Sequence, residues 1–122
     1  MVGYPTGFQY IITGSTSRTI SFWLKGYGLE NDDSLFVYGN PSNTQYFWIQ
    51  YLTASGLVFR DYQSVLSTPY HPTSADTWYW CCITYDGSNV KFYVNNTQQG
   101  SNLTKTLNTS IVSGEIKIGF RS

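Results

Sequence analysis

TWYWCCITYDGSNVKFYVNN, Thr77 to Asn96, reads as two long strands joined by a tight turn. The turn is Asp86-Gly87-Ser88-Asn89, where Gly87 supplies the positive φ that other residues reach only at a steric cost. On the first arm Tyr79, Cys81, Ile83 and Tyr85 share one face. On the second arm Phe92 and Val94 alternate with Lys91, Tyr93 and Asn95, the period of two that a half-buried strand requires. The stretch is a β-hairpin.

Further strands flank it. Phe8 to Thr13 is a short apolar run that predicts a strand, and Thr19 to Lys25 alternates Ile20, Phe22 and Leu24 against Ser21, Trp23 and Lys25. Ser34 to Tyr38 is a strand ended by Gly39-Asn40-Pro41. Gln45 to Leu52 and Leu57 to Asp61 form a second hairpin about Thr53-Ala54-Ser55-Gly56, with Phe47, Ile49 and Tyr51 on one side and Tyr46, Trp48 and Leu52 on the other. Gln63 to Asp76 holds Pro69 and Pro72 and reads as mostly loop. Thr97 to Ser110 is polar, with a short strand expected at Leu103 to Leu107, and Ile111 to Phe120 closes the chain. Nowhere do apolar residues recur at helical spacing. The chain is all-β, and turns every eight to twelve residues predict a two-sheet antiparallel sandwich.

A resemblance emerges from four short motifs in order. Thr19-Ile20-Ser21-Phe22-Trp23-Leu24-Lys25 looks like an early strand of the laminin G-like and pentraxin-like domains of the concanavalin A-like lectin/glucanase superfamily. Trp78 opening a strand that ends Tyr85-Asp86-Gly87, then Lys91-Phe92-Tyr93-Val94, and finally Ile116-Lys117-Ile118-Gly119 resemble that family's later strands. The match runs from about Tyr10 to Gly119, and it implies a jelly-roll sandwich spanning residues 1–122 as one lectin-like domain. Relatives usually carry a strand before the first matched one and another after the last, and these pair with each other. The absence of both implies either a pared-down version of the fold or strand edges that neighbouring chains complete, as in a homo-oligomer or filament.

Composition excludes several function classes. Seven basic and seven acidic side chains balance, leaving no electrostatic footprint for nucleic acid or anionic membrane. No apolar run is long enough for insertion into a bilayer. Met1-Val2-Gly3-Tyr4-Pro5 shows no signal peptide, as a mature chain also would. Charged residues are only 11% while aromatics are 18%, so the surface is built from Ser, Thr, Asn, Gln and Tyr.

Catalytic constellations are missing. Glycoside hydrolysis needs two carboxylates on one face, and the two glutamates, Glu30 and Glu115, lie on separate elements. His71, the single histidine, sits in a proline-flanked loop without a nucleophile elbow. No enzyme is expected. Adjacent Cys81 and Cys82 point to opposite faces and cannot bond to each other, which leaves packing or an interchain disulfide. Many relatives bind calcium at a sheet edge, and Asp32-Asp33 is the one adjacent acidic pair, a weak candidate that a solvated loop explains equally well. Three sequons, at Asn95, Asn102 and Asn108, fit a glycosylated surface if the chain is secreted.

Aromatics carry the remaining signal, because Tyr and Trp stack on sugar rings and anchor protein interfaces. Trp23, Trp78, Phe22 and Phe92 are expected in the core, while Tyr27, Tyr62 and Tyr70, with Tyr4, sit in or beside loops and are the candidate ligand contacts. The expected function is non-catalytic recognition of a glycan or protein surface, at a cell exterior or virion surface. The alternative is a self-assembling subunit of a fibre, filament or viral or phage appendage.

Overall fold

Period-two alternation becomes a two-layer sandwich once the apolar faces of the strands are buried against each other. The computed structural model describes residues 12–26, 28–111 and 115–121. Its strands are Arg18–Lys25 (β1), Asp33–Gly39 (β2), Tyr46–Leu52 (β3), Gly56–Arg60 (β4), Val65–Ser67 (β5), Trp78–Tyr85 (β6), Asn89–Val94 (β7), Thr97–Thr104 (β8) and Glu115–Arg121 (β9). They form a four-stranded sheet in the order β1-β6-β7-β8 and a five-stranded sheet in the order β5-β4-β3-β2-β9. Every pairing is antiparallel. Among the described residues no helix is long and apolar enough to cross a membrane.

The central hairpin forms as its sequence dictates. Gly87 takes φ +99°, and the Asp86 carboxylate accepts the Ser88 and Asn89 N–H groups at 2.8 and 2.7 Å. Those bonds hold its carboxyl below the usual aspartate range. Tyr79, Cys81, Ile83 and Tyr85 from β6, with Val90, Phe92 and Val94 from β7, face Phe47, Ile49, Leu57 and Phe59 of the other sheet across the core. The Phe47 and Phe59 rings meet edge to face at 5.0 Å.

One local expectation is corrected. The strand after the hairpin spans Thr97–Thr104 rather than Leu103–Leu107, because a turn at Asn95-Asn96 (φ +50° and +68°) folds the chain straight back onto β7. The proline-bearing loop also contributes β5, a short edge strand against β4. The strand expected over Phe8 to Thr13 lies outside the described residues apart from Ile12 and Thr13, which precede a bridge between Gly14 and Thr109.

Strands β5 and β8 pack together on one side of the sandwich, so β1 and β9 are edge strands on the other. There Ile116 and Ile118 pair with Tyr38 and Phe36, on the core side of the five-stranded sheet, yet Ile118 is 76% exposed.

An ion pair clasps the two sheets at the opposite side. The Asp61 carboxylate is buried, ion-paired with Lys105 Nζ at 2.7 Å and accepting the Ser64 N–H at 2.8 Å. Burial pushes its carboxyl up, but the hydrogen bonds and charge of Lys105 and Ser64 outweigh it and hold the group below its usual range. A lowered folded value contributes stability that is present above the ordinary value of about 3.9 and lost as pH falls through the folded one. Asp61→Asn therefore costs about 1–3 kcal/mol at pH 7, less than a fully dry pair because Lys105 reaches water. The deficit shrinks on acidification below about pH 4, as urea titrations across pH will show.

Candidate functional site

Outward-facing positions of the four-stranded sheet form the most exposed aromatic surface among the described residues. Inner positions of β6 are odd-numbered, so Trp78, Trp80, Cys82 and Thr84 point away from the core. The β1 register sets Trp23 opposite Trp80 and Lys25 opposite Trp78. Trp23 is 61% exposed and Trp78 57% exposed. Neither is in the core, where the sequence placed them; Phe92 is buried there and Phe22 packs partly buried against it. Among the described residues no second layer covers this face, and Trp23 and Trp78 stay wet.

The Trp23 and Trp80 indoles meet at 5.1 Å between ring centroids, tilted by 51°. Beside them lies the Asn95-Asn96 turn, and the four residues line an open concavity of about 400 Å³. The turn is pinned to β6. Asn95 donates its N–H to the Trp80 carbonyl at 2.9 Å, and its Oδ1 accepts the Trp80 N–H at 2.9 Å. Because that backbone group only donates, the oxygen of the carboxamide is fixed toward it and the Nδ2 donors are left for the concavity. Lys25 sits over the Trp78 ring at 5.8 Å and pairs with Asp76 at 3.4 Å, so the strip ends in a balanced charge.

The outer face of the five-stranded sheet is a second aromatic cluster of different character. Arg60 stacks on Trp48 at 4.6 Å and donates to Gln50 Oε1 and the Tyr62 carbonyl, while Trp48 Nε1 donates to Ser34 Oγ. Gln50 Nε2 and Arg60 Nε have no acceptor among the described residues, but both atoms are sealed from solvent. A ligand reaches the tryptophan concavity without rearrangement and reaches these donors only with one.

The residues singled out from sequence are dispersed. Tyr62 lies on this second face against Tyr46, ring centroids 5.7 Å apart. Tyr70 closes one end of the core, its carbonyl accepting the Leu57 N–H and its ring edge-on to Tyr79; Gly56, at φ +76°, allows that approach, since a Cβ there would lie 2.3 Å from the Tyr70 oxygen. Tyr4 and Tyr27 lie outside the described residues. Asp33 accepts the Glu30 N–H at 2.7 Å and Asp32 accepts Asn31 Nδ2 at 3.0 Å, both within a turn. Among the described residues no group of three or more His, Cys, Asp or Glu gathers as metal ligands.

Cys81 packs inside and Cys82 lies on the outer face, both as free thiols. Burial, with Cys82 adjacent, pushes the Cys81 thiol up to about 11 and keeps it protonated at neutral pH. Of the sequon asparagines, Asn95 lines the concavity, Asn102 accepts Gln98 Nε2 at 2.9 Å on β8, and Asn108 is exposed beyond it. His71 bonds the Tyr51 hydroxyl at 3.0 Å.

A laminin G-like family model, described as concanavalin A-like lectin/glucanases superfamily, matches residues 7–121. Among solved structures, domain 4 of AbnA, a GH43 extracellular arabinanase from Geobacillus stearothermophilus in complex with arabinotriose, superposes with a TM-score of 0.63 at 16% identity. The alignment covers 92% of this chain and 58% of that one. No curated protein matches the chain.

Proposed function

We propose that this chain, which belongs to the concanavalin A-like lectin/glucanase superfamily, is a non-catalytic carbohydrate-binding module that takes glycans on the Trp23–Trp80 face. One observation carries the proposal: the exposed Trp23 indole and the half-buried Trp80 indole line a concavity together with two asparagines on an outer sheet face. Leaving such apolar area wet forgoes about 25 cal/mol per Å² of burial, and a sugar ring's apolar face recovers it while the asparagine amides satisfy hydroxyls. A volume of about 400 Å³ falls within the range of small-ligand sites. The solved neighbour's complex with arabinotriose makes arabino-oligosaccharides the first ligands to test, and its extracellular enzyme supports an extracellular setting.

Calorimetric titration with arabino-, xylo- and gluco-oligosaccharides, followed in parallel by tryptophan fluorescence, tests this. Saturable binding with a shift in indole emission is expected; the absence of both with every glycan sinks the proposal. A glycan attached at Asn95 would lie across the concavity, so the proposal also requires Asn95 to be unmodified where the protein acts.

Self-assembly is the second reading, supported by the exposed Ile118 on the edge strand β9. Light scattering separates the two: a concentration-dependent oligomer that Ile118→Lys disperses favours assembly, and a monomer at micromolar concentration removes it.

A further inference from the structure

We infer that the concavity grips a single, non-planar glycan chain rather than a flat polysaccharide surface, and that Asn95 determines specificity there by donating to an acceptor on the sugar. The inference rests on the carbohydrate proposal above and concerns the same face.

Coplanar aromatic rings match the flat faces that extended chains present in a crystal. Trp23 and Trp80 are not coplanar; at 51° of tilt and 5.1 Å between centroids, sugar rings stacked on both must turn relative to each other by a similar angle. Soluble, helical or bent chains do this, and ribbon-like chains held in a crystal do not. The spacing is close to the advance of one sugar residue, so neighbouring residues of one chain meet the two indoles.

The surroundings point the same way. The exposed Asn95-Asn96 turn lines the same concavity as the half-buried Trp80, so a chain stacked on that ring also meets the two asparagines. Trp78 lies two residues along β6 from Trp80 on the same face, about 7 Å away by strand rise, and prolongs the strip for a further sugar of the same chain.

Asn95 supplies polar discrimination. Its Oδ1 is committed to the Trp80 N–H, so toward a ligand it offers donors, and these fit a hydroxyl or ring oxygen acting as acceptor. Asn95→Asp tests this with little structural cost. A carboxylate still accepts the Trp80 N–H, and Asp tolerates the left-handed φ of +50°. What disappears is the donor.

The experiment pairs calorimetry and affinity electrophoresis on soluble arabinan, arabinoxylan and mixed-linkage β-glucan with sedimentation assays on microcrystalline cellulose and chitin. The expected result is binding to a soluble polysaccharide, no depletion by either crystalline solid, and about tenfold weaker binding by Asn95→Asp at unchanged stability. Depletion by a crystalline solid that Trp23→Ala abolishes overturns the single-chain inference and leaves the carbohydrate proposal standing. Wild-type affinity in Asn95→Asp overturns the role of Asn95. Failure to bind any glycan, or binding indifferent to both Trp23→Ala and Trp80→Ala, overturns the carbohydrate site itself and this inference with it.

Discussion

Arg18→Ala is expected to lower the unfolding free energy by about 3 kcal/mol or more, a large share of the roughly 5–15 kcal/mol available to a domain of this kind. Arg18 is only 5% exposed, with its guanidinium inside the end of the sandwich. Nε donates to the Thr16 carbonyl at 2.9 Å, Nη1 to the Tyr38 and Thr109 hydroxyls at 2.6 and 2.8 Å, and Nη2 to the Gly14 carbonyl at 2.9 Å. The rings of Tyr38, Phe47 and Tyr85 surround the charge at 5.4–5.9 Å, and among the described residues no carboxylate neutralises it. Burial pushes the Tyr38 phenol above its ordinary value although Arg18 pulls it down.

Two effects compete when this side chain is removed. Deleting a buried charge recovers its desolvation cost, but truncation takes the donor from the buried Tyr38 and Thr109 hydroxyls, at about 1–3 kcal/mol each, and opens a cavity. The second wins because Arg18 is the shared donor that ties β1, β2 and the Gly14–Thr109 bridge together. Arg18→Lys keeps the charge but lacks the planar fork, so it recovers only part of the loss. Arg18→Met keeps volume and drops the charge. Urea unfolding of the three orders them wild type, Lys, Met, Ala; an Ala variant within 1 kcal/mol of wild type, or a Met variant more stable than wild type, contradicts this account.

How much of this was legible in the sequence depends on what each residue's neighbours decide. The central hairpin was legible because its apolar period, its Asp-Gly turn and its burial agree. β8 was not: of its eight residues only Leu103 is buried, so an edge strand facing water leaves almost no pattern in TQQGSNLT. Its entry turn, Asn95-Asn96, has the left-handed preference that starts such hairpins, and that signal was available.

The tryptophans were misplaced for an instructive reason. Size argues for burial, but alternation ranks above size. With Tyr79, Cys81, Ile83 and Tyr85 inward, Trp78 and Trp80 had to point outward, as Trp23 did opposite Ile20, Phe22 and Leu24. Alternation assigns faces without saying which face is covered, and the indole pair exists only because the β1–β6 register aligns Trp23 with Trp80. That register is a long-range fact. The buried ring of donors and acceptors about Arg18 has the same origin, since Thr16, Tyr38 and Thr109 are far apart in the chain.

The largest functional effect is expected from the indole pair itself. Trp23→Ala and Trp80→Ala should each weaken glycan binding by about 5- to 30-fold, the 1–2 kcal/mol of an exposed aromatic anchor. The double variant should lose somewhat less than the product, because rings 5.1 Å apart share one ligand and their effects are not independent. Trp23 is 61% exposed, so its removal forfeits little beyond the ring contact with Trp80, and Trp23→Ala should unfold within about 0.5 kcal/mol of wild type. Loss of binding in that variant therefore reports on the ligand and not on the fold. Trp78→Ala should cost less than either, since Lys25 already occupies part of its ring face. Trp48→Ala supplies the decisive contrast. It sits on the opposite face beneath Arg60, where Gln50 Nε2 and Arg60 Nε lack acceptors among the described residues, and under the proposed site it leaves glycan affinity unchanged. Should Trp48→Ala abolish binding while Trp23→Ala leaves it intact, the ligand enters through the five-stranded sheet instead, drawn by those two donors once the Arg60 stack opens.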